Sequence, residues 1–181
     1  IVGDWYRGTA DAIFQNIDLL EEDRPDYVLL LSGDHIYAMD YGLMIQSHID
    51  SGAQLTIGCL EVPIAEANRL GVLQVDETER VVGFQEKPDD PKPVPDDPNT
   101  ALASMGIYVF STNDLVRMLS EDARTQSDHD FGKNIIPAMV QREMGVYAHR
   151  FRDPHTGDRG YWRDIGTLDS FFEANMELLS P

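Results

Sequence analysis

The sequence predicts an α/β domain with a mostly parallel sheet, and three observations predict it. Residues 27–31 are an apolar run, Tyr-Val-Leu-Leu-Leu, closed by Ser32-Gly33 and then by a charge at Asp34. That pattern reads as a strand buried on both faces in the middle of a parallel sheet. From residue 9 to residue 62 the periodicity alternates helix, strand, helix, strand, which predicts a parallel pair with a right-handed crossover. Residues 71–110 then read as further strands, expected as antiparallel additions. A chain of 181 residues that is 42% hydrophobic is long enough and apolar enough for one well-cored domain.

In order, Thr9 is expected to cap a helix running to about Asp23, with Ala10, Ile13, Ile17 and Leu20 at helical spacing. The Trp5-Tyr6 pair and Gly8 just before it could stack a base and bring a phosphate to the helix N-terminus; a hydrophobic staple with a cap is the plainer role. Asp34 falls just beyond the carboxyl end of the first strand, where open α/β sheets bind ligands, and Gly33 lets a ligand approach the backbone. A carboxylate there suits a metal ion carrying phosphate, or merely caps a turn. Asp40 opens a helix that ends at Gly52, with His48 in a structural role. Residues 53–62 are a strand ended by Pro63. Residues 71–76 and 81–88 are two strands around a polar turn.

Glu86 and Lys87, adjacent at a strand end, point to opposite faces and so suit different groups of a ligand, unless they are a solvated surface pair. Five prolines between residues 88 and 98 mark an extended loop. In the strand over residues 103–110, Ser104 and Tyr108 share a face by their even spacing, where two hydroxyls suit a sugar or satisfy each other. A helix follows from Thr112. Asp130-Phe131-Gly132 matches a kinase triplet, but neither the Gly-rich loop nor the His-Arg-Asp loop of kinases accompanies it. Ile135, Ile136, Met139 and Val140 suggest a helix with Pro137 in its first turn, then a strand over residues 146–151 and a Gly-rich turn over 153–160. Trp162, Arg163 and Asp164 belong to a second dense cluster before a final helix carrying Leu168, Phe171, Phe172 and Leu179. Asp164 is the candidate partner of Asp34, since Mg²⁺ commonly takes one or two carboxylates plus substrate phosphates; an ion pair with Arg163 or Arg159 is the alternative.

A net charge of -18 argues against nucleic acid or an anionic membrane surface as partner. No apolar run approaches the length that crosses a bilayer. Any phosphate must therefore be held locally, by a metal ion, a few basic residues or helix N-termini. The single Cys59 excludes an internal disulfide and fits a reducing compartment. The chain opens at Ile1 and enters a motif within five residues, which suggests a fragment.

Taken together, Trp-Tyr-x-Gly-Thr-Ala-Asp-Ala at 5–12, Gly-Asp-His-Ile-Tyr at 33–37, Phe-x-Glu-Lys-Pro at 84–88, Ala-Ser-Met-Gly-Ile-Tyr-Val-Phe at 103–110, His-Asp-Phe-Gly-Lys at 129–133 and Tyr-Trp-Arg-Asp-Ile-Gly-Thr at 161–167 resemble the catalytic domain of the glucose-1-phosphate adenylyltransferases. The resemblance implies a Rossmann-like nucleotidyltransferase domain, spanning residues 1–181 and incomplete at the N-terminus. It lacks the family's N-terminal Gly-rich loop and its C-terminal β-helix domain. The implied reaction joins ATP and glucose 1-phosphate, with Mg²⁺, into ADP-glucose and pyrophosphate for glycogen or starch synthesis. By the same resemblance Asp34 and Asp164 hold the metal and Lys87 holds the sugar phosphate. Glu86, Ser104, Tyr108, Asp130 and Trp162 form the sugar site, Tyr6 and Gly71 make further substrate contacts, and Tyr6, Gly8, Thr9, Ala10 and Gly33 lie at the nucleotide. It also implies an allosteric homotetramer as the full-length protein, in the cytoplasm or a plastid. Another sugar-nucleotide pyrophosphorylase, a regulatory subunit without turnover and a metal-dependent glycosyltransferase are the rival readings. Asp34, Lys87 and Asp164 count against the regulatory subunit, and the missing second aspartate after Asp34 against the glycosyltransferase.

Overall fold

The computed structural model describes residues 5–153, 156–177 and 179. The expected Gly-rich turn over residues 153–160 lies partly outside them. Two short helices, α1 (Thr9–Phe14) and α2 (Ile17–Asp23), replace the single helix expected to residue 23. They lead to β1 (Tyr27–Leu30) and a short β2 (His35–Tyr37). Then come α3 (Tyr41–Ser51), β3 (Leu55–Pro63), a 3₁₀ turn (Ile64–Arg69), β4 (Gly71–Val75), β5 (Val81–Glu86) and β6 (Thr100–Ser111). The chain continues through α4 (Thr112–Asp122), a π-helical turn (Phe131–Ile135), α5 (Ile136–Gln141), β7 (Val146–Arg150), β8 (Trp162–Asp164) and α6 (Leu168–Glu177). Leu179 lies beyond that last helix.

Local chemistry sets many of these ends. The Asp40 carboxylate accepts from the Gly42 amide at 2.9 Å and caps α3, a contact worth about 1 kcal/mol. Gly52 closes the same helix at φ 62°, a left-handed conformation that glycine adopts without strain. Pro137 stands in the first turn of α5, where its missing amide proton costs nothing.

The α/β class and the mixed sheet are as expected, but the strand order differs. The main sheet runs β5-β4-β6-β3-β7, and β1 joins it through β6. Among the described strands only β3 and β7 pair in parallel; β6 is antiparallel to β1, β3 and β4. The sheet is thus not mostly parallel. Because both are antiparallel to β6, β1 and β3 do run the same way, yet β6 lies between them. Nor is β1 central: among the described residues it pairs with β6 alone, through Tyr27–Ser111 to Leu30–Tyr108, and none of its residues is fully buried. An apolar run reports an appetite for burial. Which strand supplies the neighbour is settled by residues some eighty positions away.

β6 forms the middle of the core. Leu102 and Phe110 face one layer, with Leu115, Leu119, Ile136 and Met139 of α4 and α5; Ala103, Met105, Ile107 and Val109 face the other, with Met44 of α3. The sole cysteine, Cys59, is fully buried in the first layer, and burial pushes its thiol well above the usual range. No helix among the described residues is long and apolar enough to cross a membrane.

Candidate active site

A cavity of about 600 Å³, within the usual size of small-molecule sites, opens where β1 and β5 end, beside the middle of β6 and where β2 and β8 meet. Every candidate residue lines it except Tyr6, Gly8 and Ala10.

One end is acidic. β2 and β8 form their own antiparallel pair, with His35 opposite Asp164 and Tyr37 opposite Trp162, and the Ile165 amide donates to the Asp34 carbonyl at 2.9 Å. This short ladder sets Asp34 and Asp164 side by side: one ligand atom each from Asp34, His35 and Asp164 lie within 4.8 Å of one another. Arg163 does not neutralise Asp164. It turns to α6 and pairs with Glu173 at 3.4 Å and Glu177 at 2.9 Å. Asp164 Oδ1 instead accepts from the Gly166 amide at 2.7 Å. Two exposed carboxylates with open lone pairs are a hard oxygen donor set of the kind Mg²⁺ takes.

The other end is a wall of hydroxyls and carboxylates. In a straight strand residues four apart are about 13 Å apart, too far for contact. Ser104 and Tyr108 nevertheless bring their oxygens to 3.5 Å, because β6 bulges between them: Gly58 pairs with Ile107 and Cys59 with Ser104, so Met105 and Gly106 are extra. Gly106 takes φ 69°, and a Cβ there would stand 2.7 Å from Ser32 Oγ, so glycine is required twice over. Burial is the main cause that pushes the Tyr108 hydroxyl up to about 12, with Glu86 and Asp130 adding to it, so it remains a proton donor near neutrality.

Glu86 is paired with Gly71 across the hairpin, and its carboxylate packs onto Gly132 so closely that a Cβ there would overlap Oε2. Burial raises its pKa. Lys87, at φ 46°, does not point away from Glu86 as expected of adjacent strand residues: it is exposed and forms a long ion pair with Glu86 Oε1 at 3.9 Å, with the rest of its ammonium open to a ligand anion. Asp130 is more committed. It accepts from the Lys133 amide at 3.0 Å and from Thr9 Oγ1 at 2.9 Å, so the Asp-Phe-Gly triplet is a cap on a π-helical turn that places Gly132 under Glu86.

At the nucleotide end Gly33 and Thr9 reach the cavity, but Thr9 is not the cap expected of it. Gly8 takes the cap position, and Thr9 Oγ1 instead accepts from the Phe131 amide at 3.1 Å. A Cβ on Gly8 would overlap the carbonyl oxygens of Asp128 and His129, so this glycine serves packing. Ala10 is buried in the core, and Tyr6 is exposed beside Asn16, outside the cavity. Trp162 lines the cavity with its indole nitrogen buried and unpartnered. Sequence reasoning missed Arg69 and His35, both in the wall. His35 is adjacent to Asp34 and Arg69 two residues before Gly71, which was the available signal.

The nucleotidyl transferase family matches residues 2–181. The chain is 55% identical over 181 residues to the glucose-1-phosphate adenylyltransferase of Shewanella frigidimarina, covering 99% of this chain and 43% of that protein. It is 54% identical over 177 residues to glucose-1-phosphate adenylyltransferase 2 of Alkalilimnicola ehrlichii, and 54% identical over 179 residues to the Saccharophagus degradans protein of the first name, covering 98% of this chain and 42% of each relative. The chain thus spans less than half the length of the curated relatives it matches. With a match over almost its whole length, joined to a cavity that gathers the motif residues, the chain belongs to the nucleotidyl transferase family.

Proposed function

We propose that this chain is the sugar-phosphate and metal part of an enzyme that transfers the adenylyl group of ATP to glucose 1-phosphate, releasing pyrophosphate. The observation that carries the reading is the arrangement of one cavity: paired carboxylates, Asp34 and Asp164, at one end and an exposed ammonium, Lys87, with Glu86, Ser104 and Tyr108 at the other. The names of the relatives support the substrates.

A phosphate oxygen of glucose 1-phosphate attacks the α-phosphorus of ATP. The bond from that phosphorus to the α,β-bridging oxygen breaks, and the electron pair leaves with pyrophosphate. Asp34 and Asp164 would hold Mg²⁺, which supplies neutralisation of the phosphate charge when bound. Lys87 holds the sugar phosphate as a point charge. Glu86 and Asp130 accept from sugar hydroxyls, Tyr108 and Ser104 donate to them, and Trp162 and Gly71 shape the pocket. Gly33 and Thr9 border the nucleotide. Catalysis is then mainly positioning, in which an ångström of displacement matters. A homotetramer in the cytoplasm is the assembly and location in keeping with this function.

The test is pyrophosphate release by the full-length protein from ATP with a panel of sugar 1-phosphates. Turnover with glucose 1-phosphate well above the others supports the reading, and preference for another sugar or nucleotide overturns it.

A further inference from the structure

We propose that His35 is a third ligand of the cation held by Asp34 and Asp164, so that the site takes Co²⁺ and Mn²⁺ more tightly than Mg²⁺. This rests on the two-carboxylate reading above and names what that reading leaves out. His35 Nε2 is 3.6 Å from Asp34 Oδ1, beyond hydrogen-bond reach, so Nε2 donates no hydrogen bond to that carboxylate and can carry a lone pair for a cation. With bonds of about 2.1 Å, adjacent ligands of one octahedral ion stand about 3 Å apart and opposite ones about 4.2 Å. The three candidate atoms all lie within 4.8 Å of one another, close to that spacing.

The ring is placed by packing and not by a hydrogen bond. Its side chain is 12% exposed against 62% for Asp34, and it meets Trp162 edge to face at 5.0 Å. The hollow left by Gly106 receives its edge: a Cβ on that glycine would stand 3.1 Å from His35 Cε1. Nδ1 is buried without a partner, and Nε2 is the ring nitrogen turned to Asp34. Ligation through Nε2 places the ring proton on Nδ1. Ser32 Oγ and Nδ1 both lie within 4 Å of the same point above Gly106, and the Ser32 hydroxyl makes only a long 3.4 Å bond to the Gly106 carbonyl. It is the group placed to accept that proton's hydrogen bond, as an outer partner orients a ligating histidine.

An imidazole nitrogen changes which ion is favoured. Mg²⁺ gains little from it, whereas along the first-row series nitrogen donors favour Co²⁺ over Mn²⁺ and both over Mg²⁺. The experiment measures binding without substrates, in the full-length protein: Mn²⁺ by the loss of its free paramagnetic resonance signal, Co²⁺ and Mg²⁺ by calorimetry. His35→Phe keeps a ring against Trp162 and removes the ligand. It should weaken Mn²⁺ and Co²⁺ by at least about tenfold, the loss that removing even an outer partner of a ligand causes, and Mg²⁺ much less. Pulsed resonance of Mn²⁺ in the unaltered protein should show coupling to an imidazole ¹⁴N that His35→Phe lacks.

Unchanged Mn²⁺ and Co²⁺ affinity in His35→Phe, while Asp34→Asn weakens all three ions, overturns the inference and leaves the carboxylate pair standing. Full binding by Asp34→Asn overturns the carboxylate pair and this inference with it. Should His35→Phe fail to fold, the nitrogen coupling of the unaltered protein decides: its presence supports His35 as ligand, its absence refutes it.

Discussion

The carboxylate of Glu86 rests on the backbone of Gly132, close enough that a Cβ at Gly132 would overlap Glu86 Oε2. The atom in the way is the end of a flexible side chain, so Gly132→Ala should fold and displace Glu86. KM for glucose 1-phosphate should rise several-fold in the full-length protein, with KM for ATP little changed and the melting temperature within a few degrees. Equal rises for both substrates would mean that the π-helical turn itself had shifted.

Lys87→Ala removes a point charge from one phosphate. Hydrogen bonds to charged groups are worth about 1.5–3 kcal/mol, so KM for glucose 1-phosphate should rise about tenfold to a hundredfold and that for ATP far less. Initial rates under varied concentrations of each substrate measure the split, and a symmetric loss would return Lys87 to a structural role.

Asp34→Asn keeps the shape of the side chain and removes the charge that holds a cation. The loss of several kcal/mol of charge stabilisation should lower kcat by two or more orders of magnitude, at roughly tenfold per 1.4 kcal/mol, with glucose 1-phosphate binding much less affected. Pyrophosphate release across a Mg²⁺ titration, beside a thermal melt, tests it. Near-normal kcat at ordinary Mg²⁺ from a folded variant would leave Asp34 as a turn residue only.

His48 sits in the core between two hydroxyls, with Nδ1 2.9 Å from Thr56 Oγ1 and Nε2 3.2 Å from Ser111 Oγ. Ser111 gives its proton to the Ala53 carbonyl, so it accepts from Nε2–H and Thr56 donates to Nδ1. Burial lowers the pKa of His48 and of His149 from the ordinary 6.5. Below pH 6.5 the unfolded chain therefore binds protons that the folded chain refuses, and stability must fall as pH falls. The melting temperature should drop between pH 7 and 5, above the range of ordinary carboxylates, with the raised pKa of Glu86 opposing the drop as it protonates. His48→Gln should melt lower at pH 7.5 yet lose less over that range; an unchanged slope would contradict the assignment.

What the sequence determined by itself was local or carried by motif. Asp40 and Gly52 bound a helix because a cap and a left-handed residue act on their own neighbours, and the hairpin of residues 71–86 announces its turn. The motif resemblance singled out Asp34, Lys87, Glu86 and Asp164 before any geometry, and the cavity contains them. Tertiary structure decided what depends on distant partners. That β6 separates β1 from β3 follows from pairings across more than eighty residues, which a period of two cannot encode. That Ser104 meets Tyr108 depends on a bulge which closes only where Gly106 is pressed against Ser32 and His35. That Thr9 ties to Asp130 and Phe131 while Gly8 and Ala10 turn to packing is settled by the loop at residues 128–131, since a helix start cannot know what will be folded against it.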